Sequence, residues 1–182
     1  MKKNLQVIIS LVIIMTAAMV APVMAATTGT SVITGNPGAL IDITVTGSIS
    51  NWALAVGSNT NSTAVDLTVS SNKLWTVVVK DAMDGSKITG TEGKMANWTG
   101  SAYAASGNLA TAMHVTGETV GGKTTGADVA LSGGDQTIET GLDVVGAEPM
   151  DITIGQAVVY TDPTLPGTNV YRIIVTFTGS VT

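Results

Sequence analysis

Period-two alternation of apolar and polar positions recurs along the chain, and it is the signature of strands with one face buried. Ile41, Ile43 and Val45 alternate with Asp42, Thr44 and Thr46. Val65, Leu67 and Val69 alternate with Asp66, Thr68 and Ser70, and Trp75, Val77 and Val79 with Thr76, Val78 and Lys80. Ile152 and Ile154 alternate with Asp151 and Thr153. A final run sets Tyr171, Ile173, Val175 and Phe177 against Arg172, Ile174, Thr176 and Thr178. In each run the apolar set is expected to face a core and the Thr-rich set to face outward, because Thr is β-branched and suits a pleated, half-exposed surface.

Turn chemistry separates the runs. Gly57-Ser58-Asn59, Ser71-Asn72, Asp84-Gly85 and Gly133-Gly134-Asp135 read as turns, and Leu165 to Asn169 as a turn before the last strand. No stretch keeps a helical period with caps; Ala102–Met113 comes nearest, but Gly107 and Asn108 interrupt it. Residues 116–134 read as a long surface loop or edge hairpin. Many short strands with frequent turns predict an all-β fold, an antiparallel β-sandwich of immunoglobulin-like or jelly-roll-like kind. One such domain is expected over residues 39–182, after a loose segment over 26–38.

The chain opens differently. Lys2 and Lys3 precede an apolar run from Leu5 to Ala21, then Pro22 and Val23-Met24-Ala25. This is the layout of a secretory signal peptide over residues 1–25, with a helical apolar part and cleavage after Ala25. The alternative is a retained membrane anchor, for which the run is of borderline length. Cleavage would leave no membrane-inserted segment, and six basic against thirteen acidic residues.

Composition narrows the function. The 182 residues are 12% charged and 4% aromatic, with a formal charge of −5. The missing charge is made up by 28 Thr and 13 Ser. An acidic chain of this kind is a poor nucleic-acid binder. It has no Cys and one His, so a disulfide framework, thiolate chemistry and His clusters drop out. The sequence contains no nucleophile elbow. We expect no catalytic residue, no cofactor and no metal. Asp81 and Asp84 lack the spacing of a calcium loop and read as a solvated turn, and His114 reads as an edge-strand residue.

The order of features resembles the WxL-type secreted surface domains, especially their archaeal variant. The matching residues are Asn51-Trp52-Ala53-Leu54, the run Ser71 to Asp81 with Trp75, Gln156-Ala157-Val158, and the closing run from Tyr171 to Thr178 with Phe177. The match spans roughly residues 40–182. The chain departs from the bacterial pattern in carrying Phe177 where a second Trp would stand, and Thr76-Val77 after Trp75. The resemblance implies a secreted, noncatalytic domain held noncovalently at the cell surface. On the residues themselves, Trp52, Leu54, Trp75, Tyr171 and Phe177 are expected as core anchors.

Three functional readings follow. The first is a structural or adhesion domain bound to a cell-envelope component. The second is a filament or sheath subunit that self-associates by strand addition through residues 26–38. The third is a carbohydrate-binding module that meets a surface polysaccharide through Trp98 and Tyr103, two aromatics in a polar, loop-like segment. Asn61 and Asn97 begin N-glycosylation sequons.

Overall fold

The computed structural model describes residues 34–85 and 87–182. The expected signal peptide, its helix, and most of the 26–38 segment lie outside the described residues. The described part is all-β, with antiparallel sheets; among the described residues no helix is long and apolar enough to cross a membrane.

Thirteen strands form four hydrogen-bonded groups. β1 (Ile41–Gly47), β3 (Val65–Ser71) and β10 (Val145–Asp151) run in the order β1-β3-β10. β13 (Val175–Val181), β4 (Trp75–Asp81), β9 (Gln136–Gly141) and β7 (Thr124–Gly126) form β13-β4-β9-β7. β2 (Gly57–Asn61), β11 (Thr153–Val158), β6 (His114–Thr116) and β8 (Asp128–Ala130) form β2-β11-β6-β8, and β12 (Val170–Arg172) pairs with β5 (Ala96–Trp98). Pro149 cannot donate to a ladder, and it sits in β10, an edge strand.

The alternation over β3 and β4 is realised: Leu67, Val69, Trp75, Val77 and Val79 are all fully buried. Gly141 stands opposite Trp75 in the register, where any Cβ would overlap the indole. The β4–β9 pairing is therefore fixed by one large side chain packed against a residue that has none.

Several expectations need correction. Gly57-Ser58-Asn59 is not a turn but the start of β2, because β11 offers those backbone groups a ladder from Gly57 to Asn61. The closing run is broken: Ile173 and Ile174 separate β12 from β13, which pair with different partners. Asn97 and Trp98 lie in β5 rather than in a loop. Residues 116–134 are not one loop; they supply β7 and β8. Ala102–Met113, where Gly107 and Asn108 interrupt the helical period, accordingly holds no helix, and has isolated bridges at Tyr103 to Trp98 and at Ala112 to Lys94.

The Asp81–Gly85 turn is not solvated either. Asp81 is 2% exposed and ion-paired with Lys87, itself buried; its Oδ2 also accepts from Gly93 N at 2.8 Å and its Oδ1 from Met83 N at 3.1 Å. The carboxylate thereby organises the connection after β4 from inside. One feature of the core sets up the rest: among the described residues, every buried hydrophobic side chain lies between Leu67 and Ile154.

Candidate functional site

The strands outside that interval fold around an open cleft of about 1330 Å³. One wall comes from the N-terminal flank: Ile43 and Val45 of β1, then Trp52, Leu54 and Val56 from the connection to β2. The opposite wall comes from the C-terminal flank: Val158, Tyr160, Leu165, Tyr171, Val175 and Phe177. Met95, Leu109, Met113 and Ile154 from the buried core form its floor.

The walls have a physical cause. β1 pairs only with β3, and β13 only with β4, so each leaves one edge unpaired among the described strands. The apolar rows of β1 and β13 meet near Gly179. There Gly179 leaves room for Ile41 and Ile43, whose Cγ2 would lie 2.7 Å from any Cβ added at that glycine. Toward Gly47 and Val175, residues of both strands line the cleft.

The rim is held by hydrogen bonds. Asn59 Oδ1 accepts from Ala55 N at 2.9 Å, while its Nδ2 donates to Ala55 O at 2.8 Å and to Gln156 O at 3.1 Å. Asp162 ties the other lip, accepting from Val159 N and Ala110 N at 2.7 Å each. Tyr171 donates its hydroxyl to Pro163 O. Burial, and then the nearby Asp162 charge, raise the Tyr171 pKa above the ordinary phenol value. The apolar rim is nonetheless exposed: Val56 at 52% and Tyr160 at 92%.

The sequence-derived candidates divide. Trp75 is sealed in the core, whereas Trp52, Leu54, Tyr171 and Phe177 are half-buried and line the cleft. Trp98 and Tyr103 do come together, with ring centroids 5.0 Å apart and an interplanar angle of 68°. Tyr103 is buried, however, and its hydroxyl donates to Asp84 Oδ1 at 2.9 Å. Burial first, and that bond second, push its pKa to about 12. The Arg172 guanidinium lies 4.1 Å from the centre of the Trp98 ring, near enough for a cation–π contact, and donates to Asp84 Oδ2 at 3.2 Å. The aromatic pair is thus built into a four-residue cluster at the cleft margin, with one Trp98 face already covered by Arg172.

Asn97 is buried; its Nδ2 donates to Ser106 O at 3.3 Å and its Oδ1 accepts from Asn169 at 2.9 Å, so the folded chain does not present that sequon. Asn61 closes β2 at the surface, its Oδ1 accepting from Thr63 N and Ala64 N. His114 is exposed on β6, 3.1 Å from Asp128 on β8. A Thr116 hydrogen bond, more than that of His114, holds the Asp128 carboxyl below its ordinary range.

The cleft itself was missed by sequence reasoning. Alternation identifies apolar rows but not what covers them. The available signal was topological: the first and last strands of a domain are natural edges.

Comparison of the chain with protein-family models finds no match, and comparison with curated proteins finds no significant one.

Proposed function

We propose that the chain is an exported, noncatalytic β-sandwich domain of the cell surface, structural or adhesive, which holds its partner noncovalently in the cleft. The observation that carries this is the apolar, hydrogen-bond-braced cleft between the two terminal flanks. Monomeric soluble proteins rarely expose a contiguous apolar surface of that kind without a binding role. The signal-like residues 1–25 and the resemblance to WxL-type domains support the location. The cleft exceeds the usual span of small-ligand pockets, roughly 300–1,000 Å³, and suits an extended segment better than a compact metabolite.

Fractionation of the native cells tests this reading. The chain should be retained with the envelope and released by detergent or high salt without proteolysis. Val56→Lys, which puts a charge on the exposed rim, should move most of it to the medium. Recovery of the unaltered chain solely as free monomer in the medium would refute noncovalent retention.

The two unpaired edges beside the cleft specifically favour the filament or sheath reading within this proposal, because an edge strand is a template for main-chain pairing.

A further inference from the structure

The cleft lies at one end of the domain, and the chain enters at the other. The consecutive strands β3 and β4, which belong to different sheets, define the two ends: Ser71 and Trp75 mark the first, Val65 and Asp81 the second. β1 runs from Ile41, opposite Ser71, to Gly47, opposite Val65. β13 runs the other way, from Val175 opposite Asp81 to Val181 opposite Trp75. The cleft takes its walls from Gly47–Val56 and from residues around Val175, at the second end.

The entering chain is fastened at the first end. Asn72 donates from Nδ2 to Gly38 O at 2.8 Å and accepts at Oδ1 from Leu40 N at 2.8 Å; Ser71 Oγ donates to Leu40 O at 3.1 Å. Residues 37–40 are exposed and carry no regular secondary structure of their own.

The preceding residues have strand chemistry. Residues 26–33 read Ala-Thr-Thr-Gly-Thr-Ser-Val-Ile, with no charge, no Pro and five β-branched side chains. Eight such residues extend about 26 Å at roughly 3.3 Å each, enough to pass beside a seven-residue strand. An uncharged segment brings no unpaired charge into the cleft, and polar lining residues such as Asn51 and Asn169 stand beside the Ile, Val, Leu and Phe side chains.

We propose that residues 26–33 of one copy enter the cleft of a second copy as an added strand along the free edge of β1 or β13. This rests on the preceding reading of the cleft as the partner site and names its partner. Because donor and acceptor lie at opposite ends, the contact is heterologous: each copy gives a strand at one end and receives one at the other. Such contacts do not close on themselves unless the rotation permits a ring, and otherwise propagate as a filament.

The chain contains no Cys, so single cysteines can be introduced without background. Val32→Cys and Val56→Cys copies of the exported chain, one carrying a size tag, are mixed and treated with a bifunctional maleimide. The expected product is the mixed dimer, at least tenfold above that from Val32→Cys with Leu142→Cys, whose exposed side chain lies at the first end. The double variant Val32→Cys/Val56→Cys should give a ladder. Only internally linked monomer would overturn the proposal in favour of self-insertion, and no Val32-dependent product would overturn it outright.

Sedimentation is the second readout. The unaltered chain should form oligomers that grow with concentration, and deletion of residues 26–33 should leave a monomer with an unchanged thermal transition. Equal assembly after the deletion would also overturn the proposal. If the deleted chain stays envelope-bound in a Val56-dependent way while showing no cross-linking, strand donation fails but the cleft reading survives. If Val56→Lys changes neither retention nor assembly, both fail.

Discussion

The middle of the chain, residues 65–156, and its two flanks, 41–64 and 157–182, carry similar alternating patterns and meet opposite fates. Trp75 and Trp52 show it best. Each is the leading aromatic of an apolar row, yet Trp75 is fully buried beneath Gly141 while Trp52 is half-exposed in the cleft wall. The middle strands β4 and β9 have neighbours on both sides; among the described strands β1 and β13 have one neighbour each. Burial in a sheet therefore depends on position in the strand order as much as on the residue.

Substitution separates the two regions most sharply at these tryptophans. Trp75→Ala removes the largest fully buried side chain and should cost about 3–5 kcal/mol. Trp52→Ala should cost about 1 kcal/mol, since less of its surface is removed from water. Urea denaturation of both variants checks this, and equal losses would abolish the distinction between core and cleft.

Next comes the ion pair inside the closed region. Lys87→Met leaves Asp81 buried with two backbone donors but no cation, and should cost about 3–5 kcal/mol at neutral pH. The comparison charge is Lys80, whose ion pair with Asp135 is largely solvated. Lys80→Met should shift the same unfolding curve by less than about 1 kcal/mol.

Glu139 makes the closed region pH-sensitive. It lies fully buried on β9 with no hydrogen-bond partner to either carboxyl oxygen among the described residues. Burial raises its pKa from 4.5 to about 7. The folded state thus holds a proton that the unfolded chain releases near 4.5. Stability from this group is intact below about pH 4.5, falls as pH rises toward 7, and stays reduced above it, by on the order of 2–3 kcal/mol. Glu139→Gln should flatten that slope in unfolding measured from pH 4 to 8; an unchanged slope would place the sensitivity elsewhere.

The smallest effect concerns backbone. Ala147 has φ of 54° beside the bulge in β10, a region costly for a residue with a Cβ. Ala147→Gly relieves that cost but adds unfolded-state entropy, for a net gain of about 0.5 kcal/mol. A loss on thermal unfolding would show that the methyl group packs usefully.

Particular residues show what was legible in the sequence. β3 and β4 could be read because their alternation is uninterrupted. β9 could not, since its bulge turns both Ile138 and Glu139 inward and destroys the period. β10 was hidden by Gly146, Pro149 and its own register shift. At the site, the aromatic positions were visible but their surroundings were not. Lys87 stands six residues after Asp81, but nothing there marks the pair as buried; nothing local to Asn97-Trp98 announces Arg172, 74 residues further on, and nothing near Asp84 reveals that Tyr103 and Arg172 bond it. Those pairings are made by topology.

The unequal placing of the tryptophans has an optical consequence. Trp75 lies in a dry environment with its Nε1 unbonded, whereas Trp52 and Trp98 both border the cleft. Two of the three indoles therefore sense whatever occupies that space, and the third supplies a constant blue-shifted background. The ultraviolet emission of the unmodified protein should shift to shorter wavelength when the cleft fills, giving a label-free signal for its occupancy.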